Sequence, residues 1–181
     1  MGYDGKGQRV FRSRSDSPAG VFAELGNVPL ILESFVAFER EVSVIAARAS
    51  NGQVAAYDPA ENVHRNGILH TSTLPARVSE STAASACESA ARLLTSLDYV
   101  GVIGMEFFVM GDGGLIANEI APRVHNSGHW TEAACIVSQF EQHIRAVASL
   151  PLGETRRHSD CVMTNLIGDD VEQVLSLIHI S

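Results

Sequence analysis

The sequence predicts an α+β fold of antiparallel hairpins flanked by helices, and three observations carry that prediction. Asn51-Gly52 stands between two β-prone runs, Glu41–Ala49 and Gln53–Tyr57, as a two-residue hairpin turn. Asp112-Gly113 plays the same part between Val100–Met110 and Gly114–Ile120. Ser79–Leu97, between these hairpins, is rich in alanine and free of glycine and proline, and its small and apolar residues recur at helical spacing. Strands and helices do not alternate regularly, which argues against a parallel βαβ sheet.

In chain order, residues 2–8 (Gly-Tyr-Asp-Gly-Lys-Gly-Gln) read as a flexible loop and Gln8–Arg12 as a short strand. Asp16 or Ser17 caps a helix with Pro18 near its first position and Gly26 at its end. Leu30–Glu33 reads as a buried strand. Asp58–Pro75 lacks periodicity and receives no element, although it holds His64 and His70. In the central helix Ala83, Ala86, Cys87, Ala90, Leu93, Leu94 and Leu97 make the apolar face, with Ser79 or Ser81 as the cap. Helices follow at Thr131–Ala134 and Ser138–Leu150, and a last strand at Cys161–Ile167.

With 45% apolar residues, the chain can bury a core. A net charge of −8 with no long basic run disfavours nucleic acid or an anionic membrane as partner, while a few local Arg and Lys can still hold a small anion. The three cysteines, Cys87, Cys135 and Cys161, are far apart and form no CxxC pair, which argues against a disulfide framework or zinc site and fits a reducing cytoplasm. No signal peptide and no apolar run of membrane-spanning length is visible. Residues 175–181 look like a translated sequencing adapter and are set aside as a non-native tail.

The most informative stretch is Asn118–Trp130, where a strand opens into a loop holding a carboxylate, a guanidinium, two imidazoles, two amides and the only Trp. If the turn of the preceding hairpin is symmetric about Asp112-Gly113, Met110 faces Leu115 and Glu106 faces Glu119. Facing carboxylates repel; at roughly 5 Å and an effective dielectric near 20 the cost is on the order of 3 kcal/mol. The apolar neighbours Met105, Phe107, Phe108, Ile116 and Ile120 add desolvation. A divalent cation offsets both, and an oxygen ligand set suits Mg²⁺ or Mn²⁺, with Asn118 assisting if the backbone twists there. The alternatives are one protonated glutamate, or neutralisation by a cation such as Arg123.

Two further groups are weaker signals. The glycines of residues 2–8 let backbone N–H groups converge on an anion, with Lys6 adding charge, but an ordinary turn has the same composition. Beside a metal site the loop gains weight, because both would then hold one polyphosphate. Glu33 ends an apolar run where a nucleoside can dock, the backbone of Ser34–Val36 can meet an adenine edge, and Glu41 can take ribose hydroxyls. Solvated carboxylates at strand ends explain the same residues, and His64 reads equally as a surface residue.

Taken together, Gly-Tyr-Asp-Gly-Lys-Gly-Gln at 2–8, Glu-Ser-Phe-Val at 33–36, Glu41, Asn62-Val-His64, Gly104-Met-Glu106, Asn118-Glu119 and the run 121–131 resemble the ATP-grasp superfamily. Within it they are most similar to the N5-carboxyaminoimidazole ribonucleotide synthase family. The resemblance implies two lobes built on antiparallel sheets with flanking helices. Residues 1–60 would be the small lobe, and residues 61–168 the large lobe with the metal and bicarbonate site. It implies a cytoplasmic ligase of purine biosynthesis, a homodimer at full length. ATP phosphorylates bicarbonate, and 5-aminoimidazole ribonucleotide captures the carboxyl group. By motif, Gly5, Lys6, Gly7 and Gln8 cover the phosphates, and Glu33, Ser34, Phe35, Val36 and Glu41 hold adenine and ribose. His64 and Asn118 lie near the nucleotide, and Glu106 and Glu119 ligate Mg²⁺. Arg123, His125 and Asn126 meet bicarbonate or carboxyphosphate with Tyr3 nearby, and Asp4 faces the ribonucleotide.

The family's N-terminal domain and C-terminal segment are not matched, so the chain as written is expected to be inactive or nearly so. Another ATP-dependent carboxylate–amine ligase, or a non-catalytic ATP-binding module, are the competing readings.

Overall fold

The computed structural model describes residues 7–173. The expected positions of Tyr3, Asp4, Gly5 and Lys6, and the tail 175–181, lie outside the described residues. The elements are α1 (Val21–Glu24), β1 (Arg40–Arg48), β2 (Val54–Ala56), β3 (Ala60–Arg65), β4 (Ile68–Leu74), α2 (Glu80–Ser96), β5 (Gly101–Val109), β6 (Leu115–Ala121), α3 (Thr131–Ala134), α4 (Gln139–Val147) and β7 (Cys161–Thr164), with short 3₁₀ turns at Asn126–Gly128 and Gly168–Gln173.

Seven strands make one antiparallel sheet in the order β6-β5-β1-β3-β4-β7, with β2 paired to the end of β1. The sheet crosses the lobe boundary expected near residue 60, since β1 pairs with both β3 and β5. Strand alternation gives β1 two different faces. Val42, Val44 and Ala46 pack with Ile103, Met105, Phe107 and Val109 of β5 under α2, which contributes Ala86, Ala90 and Leu94. Ile45 and Ala47 face the other way, into a second core with Tyr57, Leu74, Val102, Trp130 and Ala134. That second layer reaches only part of its face. Beyond Ile45 the same face turns polar, through Ser43 and Glu41.

Several expectations need correction. Gln8–Arg12 and Leu30–Glu33 are not strands, and Ile31 and Leu32 are each 89% exposed. A strand needs a ladder for its N–H and C=O groups, and neither run has one among the described residues. The first helix shrinks to Val21–Glu24 because Gly20, at φ 82, turns the chain into the left-handed region just before it. Asp16 instead accepts hydrogen bonds from the N–H groups of Arg12 and Ser13, at 2.6 and 3.1 Å, closing a turn ahead of that helix.

The aperiodic stretch 58–75 is a hairpin, β3–β4, turning through Asn66 (φ 52) and Gly67 (φ 76), both left-handed as a primed turn requires. Its two-residue signal was the same Asn-Gly pair that announced β1–β2. A register shift between Val63 and His64 hid the alternation. The expected helix Ser79–Leu97 stands with Ser79 capping Thr82 N–H at 3.1 Å. Ser138 likewise caps α4, accepting from Glu141 N–H at 3.3 Å.

Candidate active site

Glu106 of β5 lies opposite Glu119 of β6, as the residue count required. The route to that pairing differs from the expected one. Met110 accepts from Gly113 N–H and donates to Gly114, so the loop is Gly111-Asp112-Gly113, with Gly113 at φ 82. Leu115 therefore faces Val109, one residue off the symmetric turn. A bulge then inserts Asn118 between Ala117, opposite Phe107, and Glu119, opposite Glu106. The two irregularities cancel.

The rest of the site assembles on the same sheet face. Across β1, Ser43 lies opposite Glu106 and Glu41 opposite Phe108. Glu41 also faces Asn62 of β3, which faces Ser72 of β4. His64 forms a hydrogen-bonded ion pair through Nδ1 with Glu41. Phe38 stacks on Phe108 with ring centroids 4.3 Å apart, walling one end. Glu106, Ser43 and Asn62 form a buried floor, while the side chains of Glu41, His64 and Glu119 are 19%, 23% and 40% exposed.

His125 leans over this floor, with its Nδ1 3.9 Å from Glu106 and its Nε2 3.9 Å from Glu119. It can do so because residue 104 is glycine: a Cβ there would stand 2.5 Å from His125 Cβ. The ring is held by Ser127 Oγ, 2.8 Å from Nδ1. The backbone is held by Gln139, a fully buried amide at the start of α4. Its Oε1 accepts from His125 N–H at 2.9 Å and its Nε2 donates to His125 C=O at 2.7 Å.

Gly128 passes so close to Gln139 and Ile45 that a Cβ would come within 2.6 Å of each. Trp130 anchors the far side edge-on to Tyr57, at 6.1 Å. Ser127–Trp130, matched by motif only in the sequence, are thus the mounting of His125. Gln139 is not visible from sequence as part of the site, because an amphipathic reading of its helix assigns glutamine to the solvent side.

Electrostatics fit a cation-seeking site. Burial pushes the Glu106 carboxyl up to about 7; His64 opposes that shift, while Glu119 and Glu41 add to it. The hydrogen bond that His64 donates to the Glu41 carboxylate raises its pKa, against the effect of burial. Burial lowers that of His125, and Arg123 and His129 push it further down against the pull of Glu119. Arg123 does not neutralise the pair. It is exposed and donates to the Val124 carbonyl at 2.9 Å. Without a cation, therefore, the pair is relieved by a proton on Glu106. Among the described residues no three carboxylate, imidazole or thiol side chains converge on one point, but the facing Glu106 and Glu119, with the orphaned hydroxyl of Ser43 beside them, offer oxygens that suit a hard divalent ion whose shell is completed by water or ligand.

Not all predicted residues join the cluster. Asn126 is half-buried in the 3₁₀ turn after His125, and Asn118 is exposed on the bulge. Gly7, Gln8, Glu33, Ser34 and Phe35 are exposed and Val36 is half-buried, all without regular structure. Among the described residues none of these six forms a hydrogen bond or ion pair with the cluster.

The ATP-grasp domain family model matches residues 1–140. The chain belongs to the ATP-grasp family. It is 64% identical over 179 residues to N5-carboxyaminoimidazole ribonucleotide synthase of Brucella melitensis, covering 98% of this chain and 49% of that protein. Against the protein of the same description from Pseudomonas aeruginosa the identity is 53% over 168 residues, covering 93% and 46%.

The solved ADP complex of an N5-carboxyaminoimidazole ribonucleotide synthetase superposes with a TM-score of 0.92 at 46% identity, over 98% of this chain and 47% of that one. The Aspergillus clavatus carboxyaminoimidazole ribonucleotide synthase complexed with ATP gives 0.91 at 33% identity, over 99% and 49%. The chain spans about half the length of the curated relatives it matches. Among the described residues, no helix is long and apolar enough to cross a membrane.

Proposed function

We propose that the chain is the ATP-binding and metal-binding part of an N5-carboxyaminoimidazole ribonucleotide synthase. The full enzyme would use ATP and bicarbonate to carboxylate 5-aminoimidazole ribonucleotide, releasing ADP and phosphate. The observation that carries this reading is the Glu106–Glu119 pair with His125 poised 3.9 Å from both. A metal-bound phosphate donor and an anionic acceptor can meet there.

Glu106 and Glu119 would hold Mg²⁺ or Mn²⁺, which neutralises phosphate charge during transfer. Glu41 and His64 are suited to the ribose side, and Glu33, Ser34, Phe35 and Val36 to adenine. Gly5, Lys6, Gly7 and Gln8 would cover the phosphates. Arg123 can clamp carboxyphosphate through two parallel hydrogen bonds, with His125, Asn126 and Tyr3 supplying further donors. Asp4 would face the ribonucleotide amine, which attacks the carboxyl carbon as phosphate leaves. Phosphoryl transfer needs positioning and charge neutralisation rather than a covalent nucleophile, so none of these side chains has to be one.

We place the seven-stranded sheet in the large lobe and the segment before β1 in the small lobe. The setting would be cytoplasmic, and the full-length protein a homodimer.

The test is made in a full-length relative carrying the change equivalent to Glu119→Gln. Metal-dependent ATP turnover should disappear while the melting temperature holds, and unchanged turnover defeats the metal assignment. The 181-residue chain itself should show no ATPase activity with bicarbonate and aminoimidazole ribonucleotide, because its relatives are about twice as long.

A further inference from the structure

Asn62 is 5% exposed and Ser72 is fully buried, and they face each other across β3 and β4. The Ser72 hydroxyl donates to Asn62 Oδ1 at 2.8 Å. That bond occupies the acceptor end of the amide and leaves Nδ2 buried without any partner. Asn62 stands opposite Glu41 across the β1–β3 pair. A second orphan lies diagonally across the same face: Ser43 Oγ, 2% exposed and opposite Glu106.

Native interiors rarely keep such donors unpaired, and those that remain call for an explanation. Here the orphans share a floor with the acidic cluster. An incoming group that carries both a cation and anionic oxygens satisfies the two sets at once.

We propose that Asn62 is a nucleotide-binding residue. Its amide, fixed by Ser72, donates to an oxygen of the bound nucleotide and orients it beside the Glu41–His64 pair. The proposal rests on the nucleotide-site reading above and adds a residue to it.

The test compares the chain with an Asn62→Val/Ser72→Ala double variant. Thermal melting is followed without ligand, and calorimetric titration uses MgADP. The double variant removes both polar groups, so its ligand-free melting temperature should hold or rise. Its MgADP affinity should fall about tenfold, the size of one lost hydrogen bond to a charged group.

A purely structural role predicts the reverse, a lower melting temperature with affinity intact, and that result overturns the inference. Should the double variant fail to fold, Ser72→Ala alone decides. Weaker binding at an unchanged melting temperature supports the inference, and unchanged binding overturns it. If the unsubstituted chain does not bind MgADP, the nucleotide-site reading falls and this inference falls with it. If the chain binds and the double variant binds equally, only the inference falls.

Discussion

Glu106 places a titratable load on the fold. Its carboxyl holds a proton more tightly in the folded chain, at about 7, than at its ordinary value of 4.5. The metal-free fold therefore carries no penalty from this group below about pH 4.5, and loses stability as the pH rises through about 7. His64 runs in the same direction. Its raised pKa gives a stabilisation that is full below 6.5 and lost as the pH climbs through the raised value.

Glu106→Gln should accordingly stabilise the chelator-treated protein by about 3 kcal/mol at pH 8 and by little at pH 4, as read by urea denaturation. An equal effect at both pH values would contradict the burial argument. Added Mg²⁺ should raise the melting temperature of the unsubstituted chain at pH 8, and should not raise that of Glu106→Gln. At this scale the sequence was legible where chemistry was local. Glu106, Glu119, Glu41 and His64 stand out by residue type and spacing, and the fold brings them to one face of the sheet. Gln139 and Asn62 carry no such local sign, because the clasp of Gln139 on His125 and the orphaned amide of Asn62 arise only from what the fold sets opposite them.

At the scale of elements, the loop carrying His125 is fixed by close approach and by one amide. Gly104→Ala should cost about 1–3 kcal/mol and displace the imidazole, since the new Cβ has no room against His125. A histidine ring resonance that keeps its chemical shift in this variant would contradict the prediction. Gln139→Leu strands a buried N–H and a buried C=O of His125, at a cost of about 1–3 kcal/mol for each. Hydrogen exchange at residues 125–128 should rise well before global unfolding.

The hairpins show what the sequence can and cannot say about elements. Turn chemistry announced β1–β2 and β5–β6, because Asn-Gly and Asp-Gly act through their own backbone preferences. The same chemistry stood at Asn66-Gly67, but the bulge beside His64 broke the alternation that would have identified the strands. Leu30–Glu33 failed in the opposite sense. Its composition suits a strand, but composition supplies no partner.

The whole molecule is a sheet with two unlike faces, one closed by α2 and the other shared between an apolar layer and an acidic cleft. The strand order β6-β5-β1-β3-β4-β7 could not be read in advance, because the pairing of β1 with β5 joins segments about sixty residues apart and no local signal encodes it. Ile31, Leu32 and Phe35 are 89%, 89% and 81% exposed, an apolar run without cover among the described residues. Such a run promotes association. Light scattering should show concentration-dependent self-association that Ile31→Ser/Leu32→Ser reduces, with no change in melting temperature; association that persists would place its cause elsewhere.

The bulge at Asn118 bears on how the chain tolerates changes of length. Removing Asn118 would join Ala117 directly to Glu119 and leave a regular ladder, with both glutamates still opposed. Deleting a turn residue offers no such repair, because the remaining strand slips by one and its faces exchange. The hairpin therefore has one position where an in-frame deletion preserves the carboxylate pair, and the chain nevertheless keeps an asparagine there. An Asn118 deletion that folds normally and binds MgADP more weakly would identify the inserted residue as one retained for its ligand.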